Sequence, residues 1–204
     1  MNLNEYNILE KIIKNRRSIM PESRHKLGDD EIIKLLELAD WAPTKGQTEP
    51  WRFIVYGGAA VKAFCRQHAA LYRIHTSLSD FEDTVFEGIT HFGDKTSHMI
   101  LVYMKRDPKR RVSLVEELSA TAASIQNMLL GAESLGINTL WYTGGLVMHQ
   151  TMKDYLGLGA EDQILGILNL GYSPKKRKAG KRKTAMEKKV IWYENDKISV
   201  NKQL

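Results

Sequence analysis

Cysteine is nearly absent from this sequence, and long apolar runs are missing. Cys65 is the only cysteine among the 204 residues, so no disulfide can form within the chain. No uninterrupted apolar run reaches the length of about 18 residues that a membrane-spanning helix needs, and no charged-then-apolar leader is present. These absences predict a protein of a reducing compartment, and we expect the cytoplasm and no membrane partner.

Motifs for metal or nucleophile chemistry are missing as well. The six histidines show no H-E-x-x-H spacing and only one thiol accompanies them, so we predict no metal site. The G-x-x-x-x-G-K-[ST], G-x-G-x-x-G and G-x-S-x-G patterns do not occur. Nucleotide hydrolysis and serine hydrolysis therefore lack a motif, and Cys65 is interpreted as a packed residue inside a helix.

The composition is that of an ordinary globular protein. Hydrophobic residues make up 43% of the chain and charged residues 26%. A chain of this size buries roughly 70% of the surface that its unfolded form exposes, which is enough for a core without metal or disulfide support. We expect one domain over residues 1–204.

The positive charge is concentrated near the C-terminus. Residues 175–189 contain nine Lys or Arg and one acid, so they carry +8, which leaves −2 for the rest of a chain whose total is +6. A nucleic-acid-binding face would involve the folded body, so no nucleic-acid partner is expected. The pattern predicts a basic extension over about residues 174–204, acting either as a tail or as a clamp on one anionic ligand.

Apolar periodicity and turn residues predict an alternation of helices and strands. The predicted helices cover residues 4–15, 29–39, 59–72, 113–135 and 149–155. The predicted strands cover residues 51–56, 98–104, 137–142, 163–170 and 190–193. Residues 77–95 show no clear period, and they are interpreted either as a lid over the substrate or as a surface helix with apolar contacts to the body.

The helix predicted for residues 113–135 carries two adjacent apolar stripes. The residues of one stripe follow one another at steps of three and four positions: Val115, Leu118, Ala122, Ile125, Leu129 and Ala132. A surface this wide exceeds what one sheet face can cover, and small residues such as Gly131 allow another backbone to approach. We therefore predict that this helix lies at the centre of a homodimer.

Four separate segments have residues that suit ligand binding. Arg16, Arg17 and Ser18 follow the first helix, and a loop over residues 41–51 contains hydroxyl, amide and cationic side chains between two indoles. Residues 141–145 end a strand with glycines that let a flat ring approach the backbone. The fourth segment is the basic run that includes residues 181–183.

The order of these motifs resembles the FMN-dependent nitroreductase family, in particular its compact NAD(P)H nitroreductases. The motifs are N-R-R-S, A-P-T-K-G-Q-T-E-P-W-R-F, E-E-L-S-A-T-A-A-S-I-Q-N-M-L-L-G-A-E-S-L-G, L-W-Y-T-G-G and I-L-N-L-G-Y. The resemblance runs from about residue 8 to residue 193. Gln47 and Glu49 depart from the family loop, which usually has asparagine or histidine and then glutamine before P-W.

The resemblance implies an α+β fold with a mostly antiparallel central sheet flanked by helices. It also implies an intertwined homodimer with two FMN sites at the interface. In each site the residues of the A-P loop, which is the loop over residues 41–51, come from the neighbouring subunit. The FMN-binding residues implied in this way are Arg16, Arg17, Ser18, Thr44, Lys45, Gln47, Trp141, Tyr142, Thr143, Gly144, Lys181 and Arg182.

The activity implied is that of an FMN-dependent oxidoreductase. NAD(P)H would reduce the flavin and a small oxidised acceptor, such as a nitro compound or a quinone, would reoxidise it in a ping-pong hydride mechanism. No catalytic side chain is expected, because the flavin carries the hydride. The phosphate of FMN has nearly two negative charges, which suits arginine and lysine donors from two distant segments.

Two alternatives remain open at this stage. A flavoprotein of the same fold with another reaction, such as dehalogenation, dehydrogenation or flavin fragmentation, would be yellow but slow with NAD(P)H and nitroarenes. A non-enzymatic protein with a basic tail for nucleic acid would be colourless, and its binding would weaken steeply with salt.

Overall fold

The computed structural model describes residues 3–23, 25–194 and 197–199. The helices are α1 (Leu3–Asn15), α2 (Asp29–Asp40), α3 (Ala59–His75), α4 (Asp83–His91), α5 (Leu114–Ser134) and α6 (Gln150–Tyr155). The strands are β1 (Trp51–Gly57), β2 (His98–Met104), β3 (Asn138–Tyr142), β4 (Gln163–Gly171), β5 (Trp192–Glu194) and β6 (Lys197–Ser199). Short 3-10 turns cover Lys45–Gln47 and Met186–Lys188.

The first four strands form one sheet in the order β1-β2-β4-β3, and every neighbouring pair is antiparallel. β5 and β6 form a separate antiparallel hairpin. The central strand β2 is buried on both faces: Ile100 and Val102 pack with α2 and α5, while Met99 and Leu101 pack with α3 and α6. The predicted α+β class with a mostly antiparallel, helix-flanked sheet is confirmed.

α5 begins at a capping box. Ser113 Oγ accepts a hydrogen bond from the Glu116 N–H, and Glu116 Oε2 accepts one from the Ser113 N–H at 2.8 Å. The helix has 21 residues and is therefore about 31 Å long. One side packs on α2, where a Cβ at Gly131 would lie 2.5 Å from Leu38 Cδ1, so glycine is needed for this close approach.

α1 has no buried residue, although it is amphipathic. Leu3, Ile8, Leu9 and Ile13 are each about half or more exposed. An apolar helix side left in solvent to this degree is unusual for a chain that acts alone.

One helix, α4, lies in a segment for which the sequence leaves a lid and a surface helix as alternatives. Residues 77–95, for which no period was seen, contain α4. α4 has only nine residues, so an apolar period has about two turns in which to show. Ile89 is buried against Ala69 and Tyr72 of α3, and Val85 and Phe86 pack on the same cluster. The surface-helix interpretation is therefore correct for the structure of this segment, while a lid function stays a prediction. α3 also runs three residues further than the predicted end at residue 72.

Candidate functional site

The segment of Arg16, Arg17 and Ser18 lies at the edge of the sheet. Ser18 forms a parallel bridge with Thr139 of β3, and the Ile19 N–H donates to the Thr139 carbonyl at 2.8 Å. Because β3 leads directly into Trp141 and Tyr142, the first and third predicted segments lie beside the same strand.

A cavity of about 340 Å³ opens beside this segment, and its lining is strongly cationic. The lining residues are Arg17, Ser18, Ile19, Met20, Lys175, Lys176, Arg177 and Lys178. The fold thus joins the end of α1 to the start of the basic run, as a clamp on an anion would require. Lys181 and Arg182, the two positions predicted from the resemblance, lie outside this lining.

The Arg17 side chain connects the two segments that line the cavity, and we call its set of hydrogen bonds the Arg17 clip. Its Nε donates to the Lys178 carbonyl at 3.1 Å, and its Nη1 donates to the carbonyls of Lys14 at 2.6 Å and Arg16 at 2.7 Å. A Cβ at Gly180 would lie 2.5 Å from Arg17 Nη2. The guanidinium therefore holds the basic run in place, and a glycine lets the chain pass close to it.

The remaining cations divide into neutralised and available groups. Lys175 pairs with Glu22 at 2.5 Å, and Arg177 pairs with Glu133 in the last turn of α5. In contrast, the side chains of Arg16, Lys176 and Lys178 have no hydrogen-bond or ion-pair partner among the described residues. These three are free to bind an anion.

A β-bulge fixes Trp141 at the end of β3. The register between β2 and β4 shifts after Val102, so Leu165 is an extra residue, and its carbonyl accepts the Trp141 indole N–H at 2.8 Å. Gly166 has a φ of 135°, and a Cβ there would lie 2.5 Å from Trp141 Nε1. Only glycine fits this bulge, which orients the indole.

The turn after β3 folds back over Tyr142. The Tyr142 ring lies 4.4 Å from the Phe92 ring, and burial raises the pKa of its hydroxyl. A Cβ at Gly144 would lie 2.7 Å from the Tyr142 hydroxyl oxygen, while Thr143 is exposed. The turn therefore offers an open backbone next to two aromatic rings.

His68, for which the sequence predicts no role, packs against this turn and forms a hydrogen bond with it. It is 4% exposed, and its Nε2 accepts the Leu146 N–H at 3.1 Å. Burial lowers the pKa of the imidazole to about 4, so the ring is neutral at pH 7. A lone histidine on the apolar side of a helix carries no sequence signal for this contact.

The A-P loop has an unusual backbone. Gly46 has a φ of 64°, and the non-glycine residues Gln47 and Glu49 also have positive φ, at 51° and 41°. Thr44 Oγ1 accepts the Glu49 N–H at 3.2 Å and lies 3.2 Å from Thr48 Oγ1. Left-handed conformations of non-glycine residues are strained, and such strain concentrates at functional loops.

Lys45 points at the first turn of α5. Its Nζ lies 2.5 Å from Glu116 Oε1, and the two side chains are 68% and 35% exposed. The hydrogen bond from Lys45, followed by those from Ser113, lowers the pKa of Glu116 to about 2. The lysine is thus matched by a carboxylate in this chain, in contrast to the free cations of the cavity.

The two groups of predicted residues lie at opposite ends of α5. Lys45 contacts Glu116 in its first turn, whereas Arg177 contacts Glu133 in its last turn. The two glutamates are seventeen positions apart, which corresponds to about 26 Å along the helix. A single chain therefore brings Arg16–Ser18 together with residues 141–144, but it does not bring Thr44, Lys45 and Gln47 to them.

An apolar groove with a volume of about 350 Å³ lies along the C-terminal half of α5. It is lined by residues of α1, α2 and α5 and by Trp41, which is 86% exposed. The indole borders the strained loop and has no cover in this chain.

Comparisons with known proteins agree with the order of motifs and with the fold. A family model described as the nitroreductase family matches residues 13–172. The Bacillus subtilis protein named "Putative NAD(P)H nitroreductase YfhC" is 26% identical over 180 residues, which cover 88% of this chain and 92% of that protein.

Solved structures show the same similarity. The nitroreductase-like family protein from Bacillus cereus has a TM-score of 0.76 and 30% identity, covering 92% of this chain and 96% of the other. The FMN-dependent nitroreductase NfnB from Mycobacterium smegmatis, solved in complex with NADPH, has a TM-score of 0.70 and 13% identity, covering 93% and 100%.

Proposed function

The chain belongs to the nitroreductase family, and from this premise we propose that it is an FMN-dependent oxidoreductase. It uses NAD(P)H to reduce small oxidised acceptors such as nitro compounds or quinones. The names of the similar proteins, which include an NAD(P)H nitroreductase and an FMN-dependent enzyme, support this assignment.

The cationic cavity beside β3 is the observation that carries the proposal. A phosphate monoester has a charge of about −1.5 to −2 at pH 7. The cavity is lined by the free lysines Lys176 and Lys178, so its donors fit that group, while Arg16 is outside the lining and directly precedes the lining residue Arg17 in the chain. The Arg17 clip and Gly180 keep the basic run against the end of α1.

The flavin ring would lie toward the end of β3. Trp141 is fixed by the bulge, and Tyr142, Thr143 and Gly144 form an open turn with little side-chain cover. Backbone N–H groups of such a turn can donate to polar atoms at the ring edge. These features would contact only one side of the flavin ring, and the A-P loop is needed to contact the other side.

We infer that this loop comes from a second copy of the chain in a homodimer. Thr44, Lys45 and Gln47 lie about 26 Å along α5 from the cavity of their own chain. A symmetric dimer that buries the groove of α1, α2 and α5 would bring these loop residues to the partner's cavity. Under twofold symmetry each chain then contributes its loop to the site of the other chain. The exposed side of α1 and Trp41 would then be covered.

When bound, FMN would supply a two-electron carrier between NAD(P)H and the acceptor. The residues of the chain would bind the cofactor and orient it. Lys45 from the partner's loop would favour the reduced state by placing positive charge near the pyrimidine part of the ring. No side chain is assigned as a proton donor or nucleophile.

The expected compartment is the cytoplasm, and the expected unit is one domain per subunit. Cys65 is unpaired and buried, and burial raises the pKa of its thiol to about 11, which suits a packed residue in a reducing environment. None of the helices in the described part of the chain is long and apolar enough to cross a membrane.

The absorption spectrum of the purified protein tests the proposal. We expect a yellow dimer that releases FMN on heating, and whose flavin is bleached by NADH or NADPH without oxygen and recoloured by a nitroarene or quinone. A colourless protein that ignores added FMN contradicts the cofactor assignment. A yellow protein that is inert toward NAD(P)H favours another reaction of the same fold.

A further inference from the structure

We propose that His68 is a positioning residue for the flavin site. It holds the turn at residues 143–146 so that the backbone of this turn faces the cofactor. This inference rests on the proposed function, because it assigns the turn to the edge of the flavin. No contact between His68 and the flavin itself is involved.

The contact between the ring and the turn is direct. His68 Nε2 accepts the Leu146 N–H at 3.1 Å, whereas the neighbouring backbone bond from the Val147 N–H to the Gly144 carbonyl is longer, at 3.4 Å. The imidazole therefore supplies the shorter hydrogen bond at this place. Since the nitrogen that accepts must carry a lone pair, the ring has its proton on Nδ1.

The packing around Gly145 makes the arrangement specific. Gly145 has a φ of 59°, and a Cβ there would lie 2.8 Å from His68 Nε2 and 3.2 Å from Ile89 Cδ1. The turn is pressed against the ring so closely that only glycine fits. A shift of the ring would therefore displace the backbone of the turn.

A buried polar group of this kind needs a reason to be in an apolar setting. His68 is 4% exposed, and its ring centroid lies 6.1 Å from that of Phe64. An apolar residue could fill the same space without the penalty of burying a polar ring. The hydrogen bond to Leu146 is what the histidine adds, and it is made to the turn that we assign to the flavin.

His68 also lies where the turn meets α4. Leu146 packs on the cluster of Ala69, Tyr72 and Ile89, which joins α3 to α4. The segment of residues 77–95, a candidate lid, is thus connected to the turn through the layer that contains His68. We expect changes at this position to alter how the turn is presented rather than whether the phosphate binds.

The test compares three variants of the full chain. His68→Leu keeps the volume but cannot accept a hydrogen bond, and His68→Gln can place an amide oxygen near the position of Nε2. Val61→Ala is the matched control, because Val61 is a buried residue two turns earlier in the same helix whose side chain contributes packing but no hydrogen bond to the turn. Thermal unfolding of all three establishes that they are folded.

Two measurements separate positioning from general loosening. The first is the exchange rate of the Leu146 amide proton, which we expect to rise about tenfold in His68→Leu through loss of one hydrogen bond. The second is the flavin's visible circular dichroism and midpoint potential, together with kcat and KM. We expect His68→Leu to change the spectrum and potential and to lower kcat more than it weakens FMN binding, while His68→Gln restores them in part.

The outcomes distinguish this inference from the proposed function. A wild-type chain that binds no FMN overturns both. If the wild type binds FMN while His68→Leu leaves the spectrum, potential and kcat unchanged, the positioning role alone is wrong. Equal changes in Val61→Ala and His68→Leu also overturn it, because they show that any loss of α3 packing has the same effect.

Discussion

The two ends of α5 differ in how their cations are paired. At the N-terminal end Lys45 is matched by Glu116 on the first turn of the helix, and the loop around it is held in strained backbone conformations. At the C-terminal end Arg177 is matched by Glu133, but Lys176 and Lys178 beside it have free ammonium groups near an open cavity.

This difference indicates two tasks for similar residues. A cation whose charge is already balanced is held in one geometry and adds little attraction for an anion. Cations that lack a counterion gain the most when an anion arrives. The C-terminal end is therefore suited to binding a phosphate, and the N-terminal end to presenting a rigid loop to another chain.

Replacing Arg16 by alanine gives the largest expected effect. A charge-assisted hydrogen bond contributes about 1.5–3 kcal/mol, so we expect FMN to bind roughly 10- to 100-fold more weakly and the variant to purify largely free of flavin. Fluorescence titration with FMN measures this. Lys14→Ala is the control, because it removes the same charge from a helical residue paired with Glu10. Unchanged FMN retention in Arg16→Ala would remove this arginine from the site.

Gly180→Ala should give an intermediate effect at the same end. The new Cβ would lie 2.5 Å from Arg17 Nη2, so the clip to the Lys178 carbonyl must loosen. We expect about fivefold weaker FMN binding, equivalent to one hydrogen bond. Gly88→Ala is the matched control, because a Cβ there meets no atom within 4 Å. Equal affinities of the two variants would show that the clip does not shape the cavity.

Mixed dimers test whether the two ends cooperate between chains. Arg16→Ala and Lys45→Glu copies, each with its own affinity tag, are co-expressed and purified through both tags. If the loop acts on the partner, one site of the pair carries both changes and the other carries neither, so about half of the sites bind FMN normally. If the loop acts within its own chain, each site carries one change and no normal site appears.

The smallest effect is expected from the ion pair at the N-terminal end. Lys45→Gln should raise the pKa of Glu116 from about 2 toward its ordinary value of 4.5, because the strongest stabilising hydrogen bond is lost. The contribution of Glu116 to stability is present above the unfolded pKa and disappears as the pH falls through the folded one. In this variant the contribution is therefore smaller, and its loss is complete at a higher pH. Carboxyl carbon chemical shifts measure the titration, and Lys14→Gln should leave it unchanged.

Much of the fold follows from local sequence signals. Ser113 and Glu116 mark the start of α5, and the strands predicted around residues 51–56, 98–104 and 163–170 are present with small changes at their ends. The bulge at Leu165 and the helix α4 do not follow from such signals. A glycine inside a strand shows no partner in the sequence, and a nine-residue helix has only about two turns over which an apolar period can be recognised.

The candidate site follows from the sequence only in part. The order of motifs places Arg16–Ser18 and residues 141–144 in one site, and the structure brings them to one strand. The basic run has no periodicity, so nothing in it singles out Lys176 and Lys178 over Lys181 and Arg182. The role of Arg17 depends on carbonyl groups, which every residue has, and the contact of His68 joins residues 78 positions apart.

The exposure of α1 links cofactor retention to protein concentration. This helix ends at Asn15, directly before Arg16, yet none of its residues is buried within one chain. If pairing of two copies is what fastens it, dilution below the dimerisation constant releases both the helix and the flavin, by mass action. Added FMN should in turn shift the monomer–dimer equilibrium toward assembly, so that the yellow colour reports on association.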